Sequence, residues 1–215
     1  MGHDDKKRHL PAGTATAIRP DAPDVSMVQN RLPILPLGDS RLREKASPSP
    51  DPANPSVRAA ANRLLGALRA FRKQHGFSQG IAAPQIGIAA RIMVIDPGPG
   101  PIVLVNPEVR WISDRTVCSW ESCMCFPSLA VMVWRADAIR VAYRTLDGSD
   151  AVLASESADV AAVIQHELDH LDGILLLDRA ADTKSIISRE AYAQDPDTFD
   201  RMCRGQESSR AAHNP

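Results

Sequence analysis

Gln165-His166-Glu167-Leu168-Asp169-His170 is the stretch on which the fold and chemistry of this chain turn. Histidines four apart stack on one face of an α-helix, and Glu167 lies about 100° round from His166. Two imidazoles so placed can share a divalent ion at about 2.0–2.1 Å, with the carboxylate beside them as a base for water held there. The plainer reading is a hydrated helix surface carrying two histidines and some acids. Flanking Val163, Ile164, Leu168, Leu171 and Ile174 argue against it, because polar groups buried in so apolar a segment are costly unless a metal or partners satisfy them.

Spacing alone leaves the third protein ligand open. The downstream carboxylates Asp172, Asp178, Asp182 and Glu190 would complete a peptidase-like set. Cys123, within Trp120-Glu121-Ser122-Cys123-Met124-Cys125-Phe126-Pro127, would instead give Cys-His-His. A thiolate is the stronger ligand for zinc or ferrous iron. Three of the four cysteines (Cys118, Cys123, Cys125) fall within eight positions, with Cys203 far downstream. That clustering suggests metal ligation or thiol chemistry more than a disulfide framework.

Working outward, the helix carrying the motif is expected from about Ser157, a candidate N-cap, to Leu171, with Asp159 in its first turn and Gly173 ending it. A first helix is expected where Val57, Ala60, Ala61, Leu64, Leu65, Leu68 and Phe71 recur at helical spacing after the proline-rich connection Ser47 to Pro55. Strand patterns fit Arg91 to Ile95, Ile102 to Val105, Val109 to Ile112, Leu129 to Trp134, and Ala138 to Tyr143, which leads into the Asp147-Gly148 turn. Helix, several strands, then helix is not the alternation of a doubly wound sheet. It predicts an α+β fold with mixed or mainly antiparallel sheets around the histidine-bearing helix.

Residues 1–30 are expected to be a flexible extension, 31–193 the catalytic domain, and 194–215 a polar tail that frays unless Tyr192, Phe199 and Met202 dock it. A net charge of -1 from 25 basic and 26 acidic residues gives no electrostatic case for nucleic acid or anionic membrane as main partner. No apolar run is long enough to span a bilayer, and the polar start lacks a secretion signal's core, so a cytoplasmic location is expected. Nothing in the sequence signals an oligomeric state.

Three ordered motifs resemble the peptide deformylase family. Its pattern Gly-x-Gly-Leu-Ala-Ala-x-Gln is similar to Ser78-Gln79-Gly80-Ile81-Ala82-Ala83-Pro84-Gln85. Glu-Gly-Cys-Leu-Ser is similar to Glu121-Ser122-Cys123-Met124-Cys125, and Gln-His-Glu-x-Asp-His matches Gln165 to His170 without change. The likeness runs from about Leu32 to Leu177. It implies Cys123, His166 and His170 as metal ligands, Glu167 as acid/base, and Gln85 with the Met124 backbone N–H as oxyanion donors. It also implies a structural Glu121 paired with an arginine, and a cleft walled by Gly80 and Ile81 that a peptide enters as an added strand. The implied reaction removes the formyl group from the N-terminal methionine of nascent polypeptides, releasing formate and a free amine. The implied metal is ferrous iron (Fe2+), with zinc (Zn2+) or another divalent ion as alternatives. An apolar methionine pocket would draw on Ile81, Phe126, Leu129 and Val163.

Ser78, Ser122 and Cys125 depart from the pattern. If the glycine replaced by Ser122 served a positive φ, serine would cost about 1 kcal/mol; if it left space, the hydroxyl would reshape the cleft wall. Strand alternation would point the Cys125 thiol toward Cys123, as an extra ligand, an oxidation partner or a buried spectator. A divergent hydrolase of other formylated or acylated amines, and a peptidase using a downstream carboxylate, remain as alternatives.

Overall fold

The computed structural model describes residues 34–98 and 100–212, with side chains to residue 204. The expected extension 1–30 lies outside the described residues. The first helix, α1, spans Pro55–His75. Asn54 caps it by accepting a hydrogen bond from the Ser56 N–H at 3.0 Å, Pro55 opens it, and left-handed Gly76 (φ 74°) ends it. Strands β1 (Gly80–Ala82), β2 (Ile92–Ile95), β3 (Ile102–Ile112), β4 (Thr116–Glu121), β5 (Leu129–Ala136), β6 (Ile139–Arg144) and β7 (Asp150–Ser155) follow. Then come α2 (Ala158–Leu171), β8 (Ile186–Ser188), α3 (Arg189–Gln194) and α4 (Pro196–Ala212).

The strands form two antiparallel sheets, β1-β2-β3-β6-β7 and β4-β5-β8. The α+β expectation therefore holds in its antiparallel form. Strand β2 shows how the layers form. All of Ile92-Met93-Val94-Ile95 is buried, and alternate residues face opposite sides. Ile92 and Val94 join Leu64, Leu68 and Phe71 of α1, while Met93 and Ile95 join Ala161, Ile164, Leu168 and Leu171 of α2. The motif helix is thus a core helix whose far face is left for chemistry.

Helix α2 begins after Ser157 as expected, although the Ser157 side chain makes no capping hydrogen bond. Its exit depends on Gly173, at φ 74°: a Cβ there would stand 2.5 Å from the Arg43 carbonyl oxygen. Gln165 ties α2 to β5, donating to the Ala136 carbonyl at 2.9 Å and accepting from the Ala136 N–H at 3.1 Å. Two expected strands prove to be one: β3 runs through Asn106 and Pro107, with irregular register between Val105 and Glu108 and again before Trp111.

The tail takes the docked alternative through Tyr192 and Phe199, with α4 packed against β4. Trp120 of β4 donates to the Phe199 carbonyl at 2.9 Å and packs among Tyr192 and Phe199. Cys118 of β4 is disulfide-bonded to Cys203 of α4, across 85 residues. The expectation of metal ligation or thiol chemistry over disulfides therefore fails for Cys118, which is bonded to the C-terminal helix, while Cys123 and Cys125 are free. Met202 stays exposed. Among the described residues no helix is long and apolar enough to cross a membrane.

Candidate metal centre

Helix α2 and the turn after β4 bring Cys123, His166 and His170 together. One donor atom from each lies within 4.8 Å of the others; Cys123 and His170 are buried, and the His166 side chain is 11% exposed. The Cys123 sulfur is 3.3 Å from His170 Nε2, and the two imidazole centroids are 5.1 Å apart. The carboxylates weighed against Cys123 are engaged elsewhere. Asp172 pairs with Arg91 at 2.7 Å, Asp178 accepts from Arg43 and from the Leu175 N–H, and Asp182 accepts from the Ser185 N–H at 2.9 Å. Glu190 is exposed on α3.

The imidazole orientations follow from a chain of buried charges. His166 Nδ1 is 2.8 Å from Glu121 Oε2, which turns its other nitrogen toward the site. Arg135 Nε and Nη2 donate to the Glu121 carboxylate at 2.9 and 3.1 Å, and Arg135 Nη1 donates to Asp169 at 2.5 Å. Arg179 closes the chain by donating to Asp169 at 2.6 Å. Arg135 is the arginine partner that the motif left unnamed. A basic residue at the end of the apolar run Leu129 to Trp134 is its only trace in the sequence. Burial alone would push Glu121 up; hydrogen bonds and charge from His166 and Arg135 outweigh it and take the carboxyl from 4.5 down to about 2.

The donors suit a divalent cation. Burial pushes the Cys123 thiol well up and His170 well down, so both are neutral when alone; a cation would favour the thiolate and bind the neutral ring. Glu167 Oε2 is buried with no hydrogen-bond partner, a polar atom left for a group that completes the site. Glu167 is 4% exposed, and burial raises its carboxyl from 4.5 to about 7. It is therefore poised to exchange a proton near neutrality. Gly80 permits this placement, since a Cβ there would lie 2.6 Å from Glu167 Oε1.

A cleft of about 740 Å3 opens onto His166 and Glu167, lined among others by Gly80, Gln85, Glu121, Met124 and Val163. Of the expected wall residues, Gly80 and Val163 line it. Ile81 is buried in the α1 core, and Phe126 and Leu129 pack with Leu42, Leu175 and Leu176. Ser78 adopts φ 90°, so the first glycine of the pattern sits where a left-handed backbone is required. Ser122 is not among the positive-φ residues and lines the cleft, so it alters the wall without that strain. Cys125 lies in the turn after β4 rather than on a strand. Its N–H still points at the Cys123 sulfur, 3.5 Å away.

A thiol and two imidazoles converging beside a buried carboxylate, on a helix packed against antiparallel sheets, are features of a hydrolytic metalloenzyme. The family model for polypeptide deformylase matches residues 31–185, and the chain belongs to that family. It is 33% identical to the peptide deformylase of Thermotoga sp. (strain RQ2) over 153 residues, 71% of this chain and 89% of that one. A second relative, the peptide deformylase of Methylocella silvestris, is 31% identical over 193 residues, 85% of this chain and 91% of its own. The crystal structure of peptide deformylase from Thermotoga maritima superposes with TM-score 0.63 at 34% identity, covering 69% of this chain and 97% of its own. The Synechococcus elongatus peptide deformylase in complex with actinonin superposes with TM-score 0.66 at 28% identity, covering 73% and 83%.

Proposed function

We infer that this protein hydrolyses the formyl group from N-formylmethionyl peptides, releasing formate and a free N-terminal amine. The convergence of Cys123, His166 and His170 in a member of this family is the observation that carries the reading. These three residues hold the ion, ferrous iron in its native form with zinc as a substitute, and the Cys-His-His set suits either. When bound, such a cation acts as a Lewis acid and makes water ionisable near neutral pH.

The protein supplies the rest. Glu167, buried at the cleft beside His166, accepts a proton as water attacks the formyl carbon and returns it to the departing amine. The Gln85 carboxamide and the Met124 N–H donate to the formyl oxygen as it gains charge, where each donor is worth a few kcal/mol. The peptide lies between the edge strands β1 and β4, with its methionine side chain against Val163 and Ala162. New formylated chains as substrate imply a role in N-terminal processing during protein biosynthesis, and a cytoplasmic site of action.

The test is an anaerobic assay of formate release from formyl-Met-Ala-Ser on metal-quantified protein, with acetyl-Met-Ala-Ser alongside. Formate release with the acetyl peptide untouched is expected. Cleavage of the acetyl peptide at a similar rate, or of internal peptide bonds instead, would point to a different amide substrate.

A further inference from the structure

Gln85 is 1% exposed, and both ends of its carboxamide are engaged. Its oxygen accepts from the Ala82 N–H at 2.7 Å, which fixes which end is nitrogen, since a flipped amide would set donor against donor. Its Nε2 lies 3.7 Å from the Cys125 sulfur and 3.8 Å from the Cys123 sulfur. Nε2 carries two hydrogens in the amide plane, and only one of them is needed to meet substrate. The Cys123 sulfur is one of the three converging donors, whereas the Cys125 sulfur is not among them and its contact with Nε2 is the shorter of the two. Cys125 is itself held in a cluster with Leu42, Phe126, Leu175 and Leu176, so its position is set by packing.

We propose that Cys125 is a positioning residue: its sulfur accepts one N–H of Gln85, so that the other N–H is held toward the cleft for the formyl oxygen. This rests on the deformylase reading for its effect on rate, and on geometry alone for the contact. The mechanism gives Cys125 no bond to the ion and no proton to transfer. Its contribution is the orientation of a donor whose value depends on alignment.

The experiment combines kinetics with side-chain amide NMR on zinc-loaded protein, using Cys125→Ala, Cys125→Ser, Gln85→Ala and the Gln85→Ala/Cys125→Ala double variant. Cys125→Ala is expected to lower kcat roughly 3- to 10-fold, a fraction of what loss of a whole oxyanion donor costs. KM and zinc content should hold, Cys125→Ser should recover part of the rate, and the double variant should be no slower than Gln85→Ala. The Gln85 side-chain NH2 resonances should shift in Cys125→Ala, a readout that needs no turnover. The proposal is overturned if those resonances stay put, if the kcat loss is equal in both backgrounds, or if zinc is lost with Cys125. If the parent protein releases no formate, the proposed function fails, while the resonances still decide whether Cys125 holds Gln85.

Discussion

Replacing Arg135 by Met removes the cation that bridges the Glu121 and Asp169 carboxylates. Its side chain is 4% exposed, against 11% for Glu121 and 10% for Asp169. Removing one partner of a buried ion pair costs about 3–5 kcal/mol, because the other charge is stranded. Here each carboxylate keeps a second partner, His166 for Glu121 and Arg179 for Asp169, so the lower end, about 3 kcal/mol, is expected. At roughly 2–4 °C per kcal/mol for a chain of this size, that is a fall in Tm of about 6–12 °C. Glu121, held at about 2 in the fold against 4.5 unfolded, contributes stability that is present above pH 4.5 and lost as pH falls toward 2. Arg135→Met should therefore also flatten the acid limb of the stability profile. Metal affinity should drop about 10- to 100-fold, since Glu121 then orients His166 less firmly. Calorimetry of metal-free protein from pH 2 to 7 and a zinc titration at pH 7 measure all three effects. A Tm within about 2 °C of the parent, with an unchanged acid limb, would refute the idea that Arg135 neutralises this site.

Glu167 should leave the opposite signature. Its carboxyl titrates at about 7 in the fold against 4.5 unfolded, so the unfolded chain releases the proton first and stability declines as pH rises from 4.5 to about 7. Metal-free Glu167→Gln should lack that decline and exceed the parent by about 3 kcal/mol at pH 8, by urea denaturation, while its zinc-loaded form keeps the metal and loses turnover; parallel pH profiles would refute the burial argument. Gly80→Ala sets a Cβ against Glu167 and should lower kcat more than about 10-fold with metal content intact, because small displacements of a reacting group are costly; an unchanged kcat would show that the carboxylate has room to move. Cys203→Ser opens the 85-residue loop closed by its bond to Cys118 and should destabilise the oxidised protein by about 4 kcal/mol. Dithiothreitol should bring the parent to the variant's denaturation midpoint, and identical midpoints without reductant would mean that the bond constrains nothing.

The motif helix and the first helix were legible because each buries one stripe against a sheet face, and that requirement writes itself into spacing. Strand β2 was legible for a related reason: buried on both faces, it is apolar throughout. Strands β4 and β7 were not. Thr116–Glu121 and Asp150–Ser155 mix polar and apolar residues, and their pairing is visible only once β5 and β6 are beside them. Ile102 to Val105 and Val109 to Ile112 read as two strands because Asn106-Pro107-Glu108 interrupts the apolar pattern, although the sheet carries β3 through with irregular register. The partners that dock the tail and build the Arg135 chain were hidden for one further reason. Cys118 with Cys203, Trp120 with Phe199, and Arg135 with Asp169 are partners through folding, separated by 85, 79 and 34 residues. The candidate ligands were found by local spacing plus resemblance. Packing, which only the fold supplies, separated Gly80 and Val163 in the cleft from Ile81, Phe126 and Leu129 in the cores.

X-ray absorption at the metal edge of full-length protein loaded with one equivalent of zinc tests the site most directly. One sulfur at about 2.3 Å with two imidazole nitrogens at about 2.0–2.1 Å is expected, and the sulfur should vanish in Cys123→Ser. A parent spectrum with no sulfur neighbour, or one whose sulfur survives Cys123→Ser, would contradict a centre built from Cys123, His166 and His170.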